Sequence, residues 1–224
     1  MAQLLDDFAK RGEAEVVYLR KDRERWGKSW QLVGVEDCMH RSRHHSRYAI
    51  FQDLDERILS LENQTLAQYV MKAMTERPNI GMLQFRSTWV VCTKKPPDKY
   101  EGEEALRNHL PTLVYDKSSD VEPPGSMAKC VVDTRRVLLF VVHAVYVYFP
   151  GYESACAPPD RAIIRHYRDL TFNDRRTKKM RGYPGYAPWL TKITNGNFTI
   201  THYPSNLMKQ LYPRIKKRLE RVYR

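Results

Sequence analysis

The longest apolar run in this chain, from Val137 to Phe149, holds thirteen residues and is interrupted by His143. A membrane-crossing helix needs about 20 consecutive apolar residues, so the run is too short to be one. Its Val and Tyr content, and its stop at Pro150, predict a buried strand instead. The N-terminus (MAQLLDDFAKRGEAE) is polar and acidic, without the basic start and apolar stretch of a signal peptide. With 224 residues, 42% of them hydrophobic and 29% charged, the chain can bury a sizeable core and is not expected to be disordered.

Around that run, periodicity predicts helices over residues 4–11 (closed by Gly12), 29–41 and 65–74. A last helix is expected from Asn206 toward Arg221, capped by Ser205 and kinked or split at Pro213. Strands are expected at residues 15–19, 47–51, 81–92 (one or two) and 130–132, while 162–167 follows the break at Pro158-Pro159 with no element assigned. The polar segment 93–111 reads as a loop or lid, and Pro123-Pro124-Gly125 as a turn. Helices alternate with strands in the first third, which predicts an α/β fold with a mostly parallel sheet flanked by helices. Ligands in such sheets bind beyond the carboxyl ends of the strands.

The net charge of +12 favours anionic partners: nucleic acid, a phospholipid surface or a phosphate-bearing small molecule. A basic nucleic-acid-binding module would account for Arg175-Arg176, Lys178-Lys179 and the basic residues of 214–224. No helix-turn-helix, zinc or RNA-recognition signature accompanies them, so no nucleic acid is expected. His40 and His44 stand four apart with no matching acid, and among Arg41, Arg43 and Arg47 they read as a surface basic face. Cys38, Cys92, Cys130 and Cys156 form no C-x-x-C pair, which argues against a zinc ribbon or thioredoxin-like site. Disulfides and buried thiols both remain open. Two glycosylation sequons start at Asn63 and Asn197.

The chemistry-bearing motif is Asp53-Leu54-Asp55-Glu56, directly after the expected strand at 47–51. In extended backbone, residues i and i+2 share a face, so Asp53 and Asp55 can reach one cation together. Mg²⁺ and Mn²⁺ prefer carboxylate oxygens and keep positions open for phosphate. A diphosphate leaving group needs such a cation, because charge develops on it as the glycosidic bond breaks.

The segment Gln31-Leu32-Val33-Gly34-Val35-Glu36-Asp37-Cys38, followed by Arg47-Tyr48-Ala49-Ile50-Phe51-Gln52 and the acidic tetrad, resembles glycosyltransferase family 92. Further matches follow in order: Phe85-Arg86-Ser87, Lys129-Cys130-Val131-Val132, His143, and His166-Tyr167-Arg168. The resemblance implies a GT-A-like (Rossmann-like) fold that transfers a hexose, galactose in relatives, from a UDP-sugar donor to a glycan acceptor with Mn²⁺ or Mg²⁺. It implies residence in the Golgi lumen on a membrane anchor that this chain lacks, and a first βα unit ahead of Leu4, so that the fold here is expected to be N-terminally truncated. On this reading residues 1–204 form the partial transferase domain and 205–224 a basic C-terminal helix.

Carried over by position, Asp53 and Asp55 match the metal- and donor-binding pair, with Glu56 orienting them or bonding the sugar. His166 matches a late histidine that completes the metal site, and His143 is its rival. Arg168 is expected to neutralise diphosphate and Lys129 to face phosphate. The catalytic base stays open among Glu101, Glu103, Glu104, Asp116 and Asp120, and Trp89 and Tyr100 are candidates for stacking on acceptor sugar. Without the first βα unit, these residues alone are expected to have little activity. A non-catalytic remnant of the fold is the alternative.

Overall fold

A computed structural model describes residues 2–18, 29–94, 97–169 and 196–223. The basic stretch at 175–181 and the aromatic segment 183–189 lie outside the described residues. In chain order the elements are α1 (Ala2–Lys10), α2 (Ser29–Ser42), β1 (Tyr48–Phe51), β2 (Glu56–Ser60), α3 (Leu66–Glu76), β3 (Ile80–Phe85) and β4 (Ser87–Cys92). Next come α4 (Glu103–His109), α5 (Pro111–Val114), β5 (Lys117–Ser119), β6 (Lys129–Asp133), β7 (Val137–Val141) and β8 (Ala144–Tyr148). The chain then forms β9 (Glu153–Cys156), β10 (Ala162–Asp169), β11 (Phe198–Ile200) and α6 (Ser205–Tyr223). It divides into two compact units, one of Leu19–Thr88 with Val121–His166, the other of Met1–Tyr18, Trp89–Asp120 and Tyr167–Arg224.

In the first unit, β1, β6, β3 and β9 form a four-stranded sheet in that order. Strands β3 and β6 are almost wholly buried, so their side chains pack on both faces. Successive residues alternate between two cores, as strand geometry requires. Leu83 and Val131 join Ile58, Tyr69, Val70, Met74 and Ile164 on the side covered by α3. Met82, Cys130 and Val132 join Met39, Phe51, Val137 and Phe140 on the other. Helix α3 starts at a capping box in which Thr65 accepts from the Gln68 backbone and Gln68 reaches back to the Thr65 amide.

Among the strand pairs described, β3 with β9 is parallel, while β1–β6, β3–β6, β2–β10, β4–β5, β5–β11 and β7–β8 are antiparallel. The expected mostly parallel sheet is therefore corrected to mixed α/β with several, chiefly antiparallel, sheets. The reason lies in the crossover. Helix α3 links β2 to β3, but β2 pairs with β10 while β3 pairs with β6 and β9, so that helix makes no parallel neighbours.

The apolar run from Val137 also differs from the single buried strand expected. It folds into the β7–β8 hairpin, turning at Val142 and His143, with Leu138, Leu139, Tyr146 and Val147 exposed. The hairpin packs against β3 at Gly81, where a Cβ would come within 2.9 Å of the Tyr148 ring. Phe140 stacks on Phe51 with ring centroids 4.5 Å apart.

In the second unit, β5 pairs with β4 at Val90↔Ser118 and with β11 at Phe198↔Ser119, over a small core of Val90, Cys92 and Tyr167. The segment expected to be a loop carries α4, whose first turn holds Glu103 and Glu104 and whose last turn holds Arg107 and His109, as the helix dipole favours. Helix α6 runs through Pro213 and is tied to α1 by Arg218 and Arg221 on Asp7, with Arg218 lying 4.0 Å from the Phe8 ring centroid. Residues 15–18, expected to begin a strand, are exposed and take no strand pairing, and Leu19 lies outside the described residues. None of the four cysteines is in a disulfide; Cys92 and Cys130 are buried and Cys38 and Cys156 exposed. Among the described residues no helix is long and apolar enough to cross a membrane.

Candidate functional site

Strand β1 ends at Phe51 and β2 starts at Glu56, and the acidic tetrad is the turn between them. The Glu56 amide donates to the Asp53 carbonyl at 3.1 Å, the Asp53 amide donates to Glu56 Oε2 at 2.8 Å, and Arg57 Nη1 donates to the Leu54 carbonyl at 2.9 Å. The tetrad is thus a closed turn, not the extended strand on which the shared face of Asp53 and Asp55 was expected. Leu54, between them, is exposed.

Two antiparallel pairings bring the remaining groups to this turn. The β1–β6 register sets Phe51 opposite Cys130, which carries Lys129 to the start of the tetrad. The β2–β10 register sets Glu56 opposite His166. Lys129 Nζ lies 2.9 Å from Asp53 Oδ2 and 3.4 Å from Glu56 Oε2. His166 Nε2 lies 3.3 Å from Asp55 Oδ2, and its Nδ1 lies 3.5 Å from Glu56 Oε1. Glu56, Lys129 and His166 are buried, whereas the side chains of Asp53 and Asp55 are 51% and 37% exposed. The result is a buried floor of ionisable groups with two carboxylates at its solvent edge. Three carboxylates face one ammonium, a formal excess of two negative charges when His166 is neutral.

Five expected residues, Asp53, Asp55, Glu56, Lys129 and His166, therefore meet in one unit. Lys129 meets carboxylates there, in the position between Asp53 and Glu56 that a cation would favour. Arg168 belongs to the other unit, where its guanidinium lies 5.9 Å from the centroid of the Trp89 ring. Trp89 itself is buried, so it offers no open face to a sugar. His143 is not in an apolar strand but in the β7–β8 turn. Its Nδ1 lies 2.8 Å from the Ala128 carbonyl, and its own carbonyl accepts from Gln84 and Cys130.

The base candidates Glu101, Glu103, Glu104, Asp116 and Asp120 all fall in the second unit. Lys216 and Arg107 bond to Glu103 and hold its carboxyl at about 2, which makes it a poor proton acceptor. Asp116 lines a cavity of about 370 Å³ within that unit, with Tyr115, His202 and Lys209. Glu56, expected only to orient the aspartates or bond the sugar, touches both Lys129 and His166. Its signal was position: it is the last residue of the tetrad and the first of an apolar strand.

Among the described residues no group of three or more His, Cys, Asp or Glu side chains is arranged to hold a metal ion. Two ligands each about 2.1 Å from one ion stand roughly 3.0–3.5 Å apart when they are neighbours on it, and the Asp55–His166 separation of 3.3 Å falls in that range. Mg²⁺-type ions are bound through one or two carboxylates, with substrate phosphates and water filling the other positions. Asp55 and His166 could thus supply two ligands to such an ion, fewer than a closed structural site needs.

No curated protein matches the chain in a sequence search. Residues 1–211 match the sequence model of glycosyltransferase family 92, nearly the full length, and the chain belongs to that family.

Proposed function

We propose that this chain is the transferase core of a metal-dependent hexosyltransferase with a GT-A-like fold. It takes a UDP-sugar donor, with galactose the expected hexose, and passes the sugar to a glycan acceptor in the Golgi lumen. Family membership supports glycosyl transfer as the activity class. The observation that carries the finer reading is the acidic turn, where Asp55 and His166 stand 3.3 Å apart above a buried Glu56 and the charge excess is that of one divalent cation. Asp55 and His166 would hold Mn²⁺ or Mg²⁺, which when bound supplies charge neutralisation to the departing diphosphate. Asp53, half exposed and fixed by Lys129, is left to accept hydrogen bonds from ribose or sugar hydroxyls. Glu56 steadies both Lys129 and His166.

A second reading, a fold that has lost catalysis, is favoured by one observation: the Lys129 ammonium fills the place between Asp53 and Glu56. Calorimetric titration of UDP with and without Mn²⁺ separates the two. The enzyme reading expects UDP to bind only with Mn²⁺, and Asp55→Ala to weaken that binding by about tenfold or more. Metal-independent UDP binding, or an Asp55→Ala protein that binds as the wild type does, would overturn it.

A further inference from the structure

We propose that Arg47, Arg135 and Arg136, gathered around the buried carboxylate of Asp133, form a separate oxyanion site that takes a phosphate or sulfate monoester. The β1–β6 pair has two chemically opposite ends. At the Phe51↔Cys130 end stands the acidic turn, and at the Tyr48↔Asp133 end stands this cluster, with roughly 10 Å of strand between the two register pairs.

Asp133 is 1% exposed. Arg47 Nε and Arg136 Nε reach the same oxygen, Oδ2, at 3.2 and 3.3 Å. Arg135 approaches Oδ1 with its Nε at 3.7 Å and donates its backbone amide to it at 3.2 Å. Arg43 borders the cluster, donating to the carbonyls of Thr134 and Val137. One carboxylate thus organises three guanidiniums and leaves a formal excess of two positive charges, or three with Arg43. A row of solvated arginines would need no buried acid at its centre.

Two of the guanidiniums are locked by the fold. Arg136 donates Nη1 to the Ile80 carbonyl at 2.7 Å and lies over Tyr152, while Arg43 lies over Phe149. Arg47 also lies over a ring, 5.1 Å from the Tyr48 centroid, but Arg47 and Arg135 both keep an open side to solvent. Their side chains are 46% and 58% exposed, and each reaches Asp133 through Nε, so that among the described residues their Nη arms make no further hydrogen bond. Two half-exposed planar forks, pre-positioned by one acid, match the oxygens of a tetrahedral dianion. A dianion also matches the charge excess, which a single carboxylate ligand would only halve.

The test titrates the full chain with inorganic sulfate and phosphate at constant ionic strength, against chloride, by calorimetry and thermal unfolding. Expected are one-to-one binding of both dianions, a raised unfolding midpoint, and a loss of about tenfold or more in affinity for Arg47→Gln/Arg135→Gln. Arg47→Lys/Arg135→Lys keeps the charge without the fork and should fall between. Because that variant preserves the ion pairs to Asp133, it keeps the test valid should the glutamine variant misfold. Competition by a sulfated disaccharide would mark a glycan source, and sedimentation with phosphoinositide vesicles a lipid source; either outcome supports the site. Dianions binding no tighter than chloride, or unchanged affinity in both folded double variants, would overturn it. Mn²⁺-dependent UDP binding is expected to be unaffected by either variant, so failure here and failure at the acidic turn are distinguishable.

Discussion

Replacing Lys129 by Met leaves the Glu56 carboxylate buried without its cation. Glu56 and Lys129 have side chains 1% and 2% exposed and lie 3.4 Å apart. Removing one partner of such a buried pair costs about 3–5 kcal/mol, because the other charge stays behind uncompensated. The second partner, Asp53, is half exposed, and water replaces most of what it loses, so its share is within about 1 kcal/mol. Against a typical domain stability of about 5–15 kcal/mol, that is a large fraction. For a chain of this size it corresponds to a drop of roughly 6–20 °C in unfolding midpoint. Urea denaturation followed by circular dichroism measures it. Glu56→Gln/Lys129→Met removes both charges and should recover a good part of the loss, with a coupling of about 0.5–3 kcal/mol in the double-mutant cycle. A single-variant loss below about 1 kcal/mol, or a double variant that loses the sum of the two singles, would refute the idea of a charge-compensated floor.

Acid should loosen the second unit at Glu103. Its carboxyl is held at about 2 by Lys216 and Arg107, against 4.5 ordinarily, so this stabilisation is complete above pH 4.5 and disappears as pH falls toward 2. The unfolding midpoint should fall more steeply over that window in the wild type than in Glu103→Gln, and parallel curves would count against the interaction. Burial pushes the Cys130 thiol up to about 12. Iodoacetamide at pH 8 should therefore modify exposed Cys38 and spare Cys130 until denaturant is added, whereas equal labelling of both in the native protein would contradict the packing described.

Local structure was largely legible in the residues. Apolar period predicted α2 and α3, the latter from Thr65, and short apolar runs predicted β1 and β6, whereas β10 was not assigned. Helix α4 escaped because seven residues between Gly102 and Leu110 complete too little of an apolar period to stand out from a polar segment. Strand direction was not legible at all. It depends on which distant strand lies alongside, and α3 gives no hint that it joins two different sheets. At the candidate site the residue types were readable, but i and i+2 share a face only where the backbone is extended. The hydrogen bonds from the Asp53 amide to Glu56 and from the Glu56 amide to Asp53 close it instead, so the two aspartates acquire different partners. The basic segment at 41–47 read as a solvated face for a similar reason: only the β1–β6 register reveals that Asp133 lies against Arg47.

The spacing of the site's parts along the chain governs when it can exist. Lys129 is 76 residues from Asp53, and His166 is 111 from Asp55. Contacts that distant demand closure of long loops before they return any energy, so they form late and together. During synthesis the nascent chain cannot complete the acidic turn's buried floor until residue 166 has left the ribosome, and a break in β10 ahead of His166 would dissolve that floor while leaving the aspartates themselves untouched.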